Sequence, residues 1–284
     1  DNNRALIEQG KGRFQIAGVK ASDFPPVDIV GEIKDSFVMD KETLDQMISS
    51  TSFSVSRDMA RLSFSGLFFK ISENKLTMVG TDGQRLIMNE RITDTQNNPN
   101  EILIPARTVE LIRKIFGSTD ITETTVKLGK NTVKLECGEF SLQSKLISEK
   151  FPDYDQVIPR DNNKTLVADK GTLISTLSRV SVLANPSSNL VKFGIGDNIL
   201  SISSKDYELD TEAKEELPVN YDGDEFKIGF SSKNLAEVLD HVTTQEVELT
   251  FNTPQSAVVL RPKDQPENEN YLAILMPLRL TGED

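Results

Sequence analysis

Few side chains in this sequence have the types and spacing that catalysis or metal binding requires. The one histidine, His241, falls late in a predicted helix, with no cysteine or carboxylate cluster around it. The one cysteine, Cys137, cannot form an internal disulfide and has no metal-ligand neighbours at useful spacing. The carboxylates of residues 206–216 are scattered along an alternating strand pattern, which favours a solvated face over a metal site. These patterns predict a protein that is not an enzyme and holds no cofactor or metal.

A binding role remains open for three segments, the first of which is residues 81–86. It reads Thr-Asp-Gly-Gln-Arg-Leu and joins two strand-like stretches. Asp-Gly is a strong hairpin signal because glycine adopts positive φ without steric cost. From its residues alone, the segment is either a plain turn or a binding loop.

The other two segments contain proline. The end of the chain reads Ile-Leu-Met-Pro-Leu-Arg-Leu at 274–280, and Pro277 places it at a sheet edge or beyond one, because proline cannot donate to a ladder. Met276 and Leu278 would then line a groove, where flexible methionine suits varied partners; a buried last strand is the alternative. Phe-Pro-Asp-Tyr at 151–154 is interpreted as a stiff connector between domains.

Composition sets limits on the elements that position these segments. With 284 residues, of which 37% are hydrophobic and 27% charged, the chain is expected to form about two domains with more than one core. The lone cysteine favours a reducing, cytoplasmic location, and neither a membrane-spanning run nor a signal peptide is found. The net charge of −12 argues against ordinary DNA binding, unless the 32 Lys and Arg residues are concentrated on one face.

An internal repeat is the strongest signal for organisation. Residues 37–44 read Phe-Val-Met-Asp-Lys-Glu-Thr-Leu and residues 166–173 read Leu-Val-Ala-Asp-Lys-Gly-Thr-Leu. Both run from an apolar stretch through Asp-Lys into a helical pattern, so Asp40 and Asp169 are predicted to be helix N-caps.

A second pair of helices follows the same scheme. One follows residues 102–105 and ends near Gly117; the other follows residues 226–230 and begins at Ser231 or Ser232. Alternating strands come after each helix. Every half-domain is therefore predicted to contain a strand, a helix and two or three further strands.

The prolines mark the boundaries between these units. Phe-Pro-Pro at 24–26 and Phe-Pro-Asp-Tyr at 151–154 each follow a strand-like stretch and precede a new unit. The predicted domains are residues 29–157 and residues 158–284. Residues 1–28 are interpreted as the remnant of a further copy, and a simple N-terminal arm is the alternative.

Taken together, the three segments resemble one family, the bacterial DNA sliding clamps, which are DNA polymerase III beta subunits. Thr-Asp-Gly-x-Arg-Leu, Phe-Pro-Asp-Tyr and Met-Pro-x-Arg-Leu occur in that family in this order and spacing, and the resemblance covers residues 12–280. It implies an α+β fold of repeated clamp domains, each a doubled β-α-β-β-β unit, with helices lining a hole and sheets outside. The implied function is a non-catalytic processivity factor that encircles duplex DNA as a homodimeric ring.

The resemblance reconciles the acidic chain with DNA. A ring linked topologically to DNA needs no tight phosphate binding, so a modest basic lining suffices. The implied DNA-facing residues are Arg107, Lys114, Arg179 and Lys233, and ordinary surface charge is the alternative for each. Because most of the family's first domain is missing from this sequence, the chain is expected not to close the ring by itself.

The resemblance also implies a pocket between the middle and last domains. It accepts short motifs, usually containing glutamine, leucine and phenylalanine, from the replicative polymerase, the clamp loader and repair proteins. Transferred residue by residue, the pocket consists of Arg61, Phe64, Thr81, Gly83, Gln84, Arg85, Leu86, Pro152, Val157, Ile274, Met276, Pro277, Leu278 and Arg279. Gln84 stands where family members often have histidine, which bears on peptide preference. A repeat-built peptide- or carbohydrate-binding adaptor unrelated to DNA is the alternative function.

Overall fold

A computed structural model of the chain describes residues 3–24, 31–93 and 99–280. The helices of this part are α1 (Lys41–Ser52), α2 (Ala106–Phe116), α3 (Lys170–Ser181) and α4 (Ser232–Asp240). The first ten strands are β1 (Arg4–Gln9), β2 (Gly12–Ala17), β3 (Asp35–Asp40), β4 (Gly66–Ser72), β5 (Lys75–Thr81), β6 (Arg85–Ile92), β7 (Asn100–Pro105), β8 (Glu123–Leu128), β9 (Thr132–Cys137) and β10 (Phe140–Lys145). The later strands are β11 (Lys164–Asp169), β12 (Leu190–Gly196), β13 (Ile199–Asp206), β14 (Thr211–Pro218), β15 (Asn220–Asp222), β16 (Phe226–Ser231), β17 (Glu246–Phe251), β18 (Val258–Pro262) and β19 (Glu269–Leu275).

The doubled β-α-β-β-β unit predicted from the sequence is confirmed. Elements β3 to β10 with α1 and α2, called the middle domain below, form two such units in succession. Elements β11 to β19 with α3 and α4, the last domain, form two more, with the short strand β15 added between them. Each domain has its own hydrophobic core beneath its two helices.

The two halves of each domain interlock. In the middle domain, β3 pairs with β8 of the second half, while β7 of the second half pairs with β4 of the first. The last domain repeats the exchange, with β11 on β17 and β16 on β12. Because each half lends its first strand to the other, neither half has a complete sheet alone.

One sheet runs through both domains. Strands β6 and β19 pair antiparallel from Arg91–Glu269 at one end to Arg85–Leu275 at the other, which makes a nine-stranded sheet. These two strands are called the junction strands below. They join the domains by backbone hydrogen bonds, so both ends of the pair lie at the domain boundary.

The repeated Asp-Lys dipeptide has the same structural use in both copies. The carboxylates of Asp40 and Asp169 accept hydrogen bonds from the amides of Thr43 and Thr172 at 2.7 Å, which confirms both predicted N-caps. Each following lysine reaches the carboxyl end of the other helix in its domain. Lys41 Nζ donates to the Thr119 carbonyl at 2.6 Å, and Lys170 Nζ donates to the Val242 carbonyl at 2.7 Å.

We expect the Asp169 cap to make stability depend on pH in the acid range. The hydroxyl and amide of Thr172 donate to this carboxylate and hold the pKa of Asp169 below its ordinary value. Its contribution to stability is therefore complete above the unfolded-state pKa and is lost as pH falls through the lower folded-state pKa. Asp169→Ala should lower the melting temperature at pH 7 by about 2–4 °C.

The measurement is thermal unfolding followed by circular dichroism between pH 7 and pH 3. The difference between wild type and Asp169→Ala should begin to shrink below about pH 4, where the carboxylate is protonated in the unfolded chain, and should shrink further as pH falls through the lower folded-state pKa. Asp169→Asn is the control, because asparagine caps without titrating. A difference that stayed constant down to pH 3 would contradict the charged cap.

The structure also locates the remaining features that were noted in the sequence. Strands β1 and β2 form an isolated hairpin whose apolar side chains, including Leu6 and Phe14, are exposed. The predicted connector at 24–26 continues into residues outside the described part. Cys137 is buried in the middle domain, where burial raises the pKa of its thiol. Every helix of the described residues is too short or too polar to traverse a bilayer.

Candidate functional site at the domain junction

The junction strands have one face covered by helices and one covered by the interdomain connector. On β6, Leu86 and Met88 point toward the connector and pack with Ile274 of β19. Phe151 and Tyr154 of the connector complete this cluster. The alternate β6 residues, 85, 87, 89 and 91, point toward the helices instead.

The connector is anchored by its aromatic residues. Phe151 stacks on Phe68 with ring centroids 4.6 Å apart and planes 7° apart, and Tyr154 lies tilted against the same ring. Burial, followed by nearby acids, raises the pKa of Tyr154 to about 12. Pro152 and Val157 remain exposed between and after these anchors. The Phe-Pro-Asp-Tyr connector therefore covers one face of the joint sheet and leaves Val157 at its margin.

The segment at 81–86 forms the predicted turn between β5 and β6. Gly83 has a φ of +89°, in the left-handed region that favours glycine. The Asp82 carboxylate accepts from the amides of Gln84 and Arg85 at 2.9 and 3.0 Å. The Thr81 hydroxyl donates to the Arg85 carbonyl at 2.7 Å. The turn is thus held rigidly at the end of the junction strands.

Arg61 and Phe64 lie beside this turn. The Arg61 guanidinium is 5.5 Å from the centroid of the Phe64 ring. A Cβ added at Gly83 would lie 3.2 Å from Arg61 Nη1 and 3.6 Å from Phe64 Cε2. Glycine at position 83 therefore also allows these two side chains to approach the turn closely.

The end of the chain passes over the same turn. Strand β19 stops at Leu275, and the Met276 amide then donates to the Gln84 carbonyl at 2.9 Å. Two residues later the Leu278 amide donates to the Gly229 carbonyl at 2.9 Å, on β16 of the last domain. Pro277 lies beyond the sheet, as predicted, and the Met276 side chain is 49% exposed.

These segments adjoin one another at the Arg85–Leu275 end of the strand pair, and the surface that they share is called the junction groove below. Its residues come from the 81–86 turn, the 61–64 segment and residues 276–279, with the connector on the same sheet face as Leu86 and Ile274. Among the predicted pocket residues, most lie on these segments. Apolar groups exposed beside fixed polar groups suit a peptide anchored by a few side chains.

Among the predicted pocket residues, Thr81, Leu86 and Ile274 are buried as deeply as Arg85, but Arg85 differs in the face of the sheet to which it points. It is 7% exposed and points to the helix face, where its Nη2 atom lies 2.6 Å from a Glu237 carboxylate oxygen. Its Nε atom pairs with Asp82 at 3.2 Å, and Nη2 also donates to the Phe53 carbonyl at 3.3 Å. Arg85 therefore bridges the two domains beneath the groove.

The structure adds two residues that the sequence patterns did not single out. Asn234 of α4 donates from Nδ2 to Gln84 Oε1 at 3.2 Å, across the domain boundary. Glu237, one turn further along α4, receives the Arg85 ion pair. Neither carries a local sequence signal, because each acts through a residue about 150 positions away.

The predicted DNA-facing residues have different surroundings. Arg107 and Lys114 on α2 and Lys233 on α4 are exposed. Arg179 on α3 is also exposed, but its guanidinium makes a bidentate pair with Glu215 at 2.8 and 2.6 Å. Glu215 thus offsets the positive charge of Arg179.

Two further basic residues accompany Lys114. Arg57 and Arg113 line, with Lys114, a shallow cavity of about 470 Å³ against α1 and α2. Arg113 also pairs with Asp45 at 3.5 Å. Within the described residues no group of three or more His, Cys, Asp or Glu side chains is arranged to hold a metal ion.

Comparison with known proteins divides the chain into the same two domains as the structure. Residues 38–153 match the family described as DNA polymerase III beta subunit, central domain, and residues 155–279 match its C-terminal domain. The chain is 31% identical over 284 residues to the beta sliding clamp of Proteus mirabilis and 29% identical over 282 residues to that of Pseudomonas putida. Both alignments cover 99% of this chain and 75% of the relative.

Solved structures agree with the sequence comparisons. A sliding clamp from Pseudomonas aeruginosa, bound to griselimycin, superposes with a TM-score of 0.90 at 27% identity, over 99% of this chain and 74% of that one. The DNA polymerase III beta subunit of Thermotoga maritima also gives a TM-score of 0.90 at 27% identity, over 99% of this chain and 75% of that one.

Proposed function

The chain belongs to the DNA polymerase III beta subunit family and is a non-catalytic DNA sliding clamp, and we propose that the junction groove is its partner-binding site. The occupant is a short linear motif of a partner protein, with leucine and phenylalanine as apolar anchors and glutamine as a polar one. The partners of this kind are the replicative polymerase, the clamp loader and repair proteins.

One observation carries the proposal. The Met276–Gln84 backbone hydrogen bond ties the end of the chain to the 81–86 turn, so two distant motifs share one groove. Met276 and Leu278 supply apolar surface on one side. Gln84, held by Asn234, supplies an amide on the other. Because the peptide has few anchor side chains and loses conformational entropy on binding, we expect a Kd of about micromolar. Such an affinity allows partners to exchange.

Peptide binding tests this site directly. A fluorescein-labelled peptide containing glutamine, leucine and phenylalanine should give saturable fluorescence anisotropy with the wild-type chain. Met276→Ala should weaken it about tenfold, since one apolar anchor contact is lost. Leu209→Ala is the control, because Leu209 is a large exposed apolar residue between β13 and β14 of the last domain. Equal affinities for the two variants would place the site elsewhere.

We also propose that Arg107, Lys114 and Lys233 face the encircled DNA. Exposed lysine and arginine side chains on α2 and α4 supply local positive charge to a chain with a net charge of −12. Weak, sequence-independent attraction suits a protein that moves along DNA, because tight phosphate contacts would oppose sliding. In the intact family protein two subunits form the ring.

A salt titration of duplex binding tests the DNA-facing residues. Replacing both Arg107 and Lys114 by alanine should reduce the slope of log K against log salt by about 0.9 per lost phosphate contact. Lys227→Ala is the control, since Lys227 is exposed on the face of β16 that is turned away from the core. A double variant with the slope of wild type would assign those two residues to ordinary surface charge.

A further inference from the structure

A cavity with basic side chains lies where helices of the two domains meet. It is the cavity of about 470 Å³ against α1 and α2, and it is called the helix cavity below. Most of its lining belongs to these two helices and to the segment that follows α1. His241, the C-cap residue of α4, contributes to it from the last domain. The helix cavity is therefore shared by both domains.

Positive charge dominates the helix cavity. Arg57, Arg113 and Lys114 line it, against the single carboxylate of Glu110. All three basic side chains are exposed, so an occupant of the cavity can contact them. Among the described residues, neither Arg57 nor Lys114 forms an ion pair, while Arg113 pairs with Asp45 at 3.5 Å. In a chain with a net charge of −12, this local excess of positive charge attracts an anion.

The hydrogen-bonding groups of the helix cavity suit a phosphate. An arginine guanidinium presents parallel N–H groups that pair with two phosphate oxygens at once, and Arg57 and Arg113 supply two such groups. The side chains of Ser49 and Ser52, near the end of α1, also line the cavity, and their hydroxyl groups can donate. Positive charge and several donors around one space are the chemistry that a phosphate group requires.

We propose that the helix cavity binds a backbone phosphate of duplex DNA, with Arg57 and Arg113 as its main contacts. The source of the phosphate rests on the proposed function, in which Arg107 and Lys114 on α2 and Lys233 on α4 face the duplex. The cavity lies between α2 and the end of α4, so a DNA backbone that passes from the middle domain to the last one crosses it. A contact made by exposed side chains exchanges readily with salt ions, which is compatible with sliding.

His241 provides a direct reporter of this cavity. It is the only histidine in the sequence, so histidine labelled with carbon-13 gives a single ring Cε1–H signal in NMR. Its ring is held in place by stacking on Phe53, with centroids 3.9 Å apart, and by a hydrogen bond from Nδ1 to the Glu237 carbonyl at 2.8 Å. A short duplex added at low salt should shift this signal saturably, in parallel with the anisotropy of the labelled duplex.

A double variant tests the two proposed contacts. Arg57→Gln with Arg113→Gln should weaken duplex binding at least about fivefold at low salt and lower the slope of log K against log salt by about 0.9. It should also abolish the shift of the His241 signal. Lys192→Gln with Lys227→Gln is the charge-matched control, because it removes two positive charges from the sheet face turned away from the core. The control should keep the duplex affinity and the His241 shift of wild type.

The possible failures are distinguishable from those of the proposed function. If the duplex binds but the His241 signal does not move, or if the arginine variant binds like the lysine control, the cavity proposal is overturned. The placement of Arg107 and Lys114 toward DNA then still stands on its own variant. Saturation of the His241 shift by inorganic phosphate at a lower concentration than by duplex phosphate would assign the cavity to a free anion and also overturn it. No binding of duplex by wild type would overturn both proposals.

Discussion

Gly229→Ala is expected to reduce peptide affinity by at least about thirtyfold, because it displaces several residues of the groove together. A Cβ at position 229 would lie 2.7 Å from the Leu278 carbonyl oxygen and 2.9 Å from Leu280 Cδ2. The first of these atoms is backbone, so the end of the chain must move. Met276 and Leu278 would then lose their places beside the 81–86 turn.

The same substitution should lower stability only moderately. Extra atoms in a packed site cost about 1–3 kcal/mol, and residues 276–280 lie outside the strands of the sheet. Hydrogen exchange of the Leu278 amide, which donates to Gly229, should become faster as the segment leaves β16. Peptide anisotropy and hydrogen exchange together distinguish local displacement from general unfolding.

Gly194→Ala is the matched control for this prediction. Gly194 lies on β12, the neighbour of β16, and a Cβ there would meet Ser201 Cβ at an ordinary 3.9 Å. It should therefore keep the affinity and exchange rates of wild type. If Gly229→Ala bound peptide as well as Gly194→Ala, the end of the chain would not form the groove.

The repeating unit was predictable from the sequence because its signals are local. Asp40 and Asp169 each accept a hydrogen bond from the amide three residues later, at the start of a helix. The spacing of apolar residues that marks each helix lies within the next dozen positions. Pro277 likewise marks the end of the last strand, since it cannot donate to a ladder. Such features need no knowledge of the rest of the chain.

The pairing between distant strands left no comparable signal. Strands β6 and β19 each contain a continuous buried stretch, but no residue pattern within either strand identifies its partner about 180 residues away. The exchange of first strands between half-domains was missed for the same reason. The role of Lys41 and Lys170 was predictable only in part. Their repetition was visible in the sequence, but the carbonyl groups that accept their hydrogen bonds lie more than 70 positions away.

Two segments that adjoin at the junction groove were singled out in the sequence. Resemblance to the clamps identified the 81–86 turn and the Met-Pro-x-Arg-Leu end, and the structure brings those two segments together. It did not reveal that Arg85 and Leu86, adjacent in the motif, point to opposite faces of the sheet. Strand alternation fixes that difference once the start of β6 is known, and it assigns Arg85 to the domain boundary.

Arg85→Met is expected to lower the free energy of unfolding by about 2–3 kcal/mol, the second large effect. Methionine preserves much of the side-chain volume but removes the ion pairs to Asp82 and Glu237 and the hydrogen bond to Phe53. Because Glu237 is 41% exposed, it regains water after the loss. The cost should therefore stay below that of leaving a fully buried charge unpaired.

Urea unfolding measures this cost, with Arg179→Met as the control. Arg179 makes a bidentate pair with Glu215, but on the surface and within one domain, so its loss should change stability only slightly. A double-mutant cycle of Arg85→Met with Glu237→Gln should give a coupling energy of about 1 kcal/mol or more. Equal effects of Arg85→Met and Arg179→Met would mean that the bridge adds nothing beyond a surface pair.

The number of unfolding transitions tests separately which interactions hold the two domains together. The seven cross-strand pairs between β6 and β19 remain in Arg85→Met, so unfolding should stay a single transition at lower urea. Two transitions would show that the buried arginine couples the domains and that the shared sheet alone is insufficient. In that case the groove, which draws residues from both domains, would depend on Arg85 without any contact between Arg85 and the peptide.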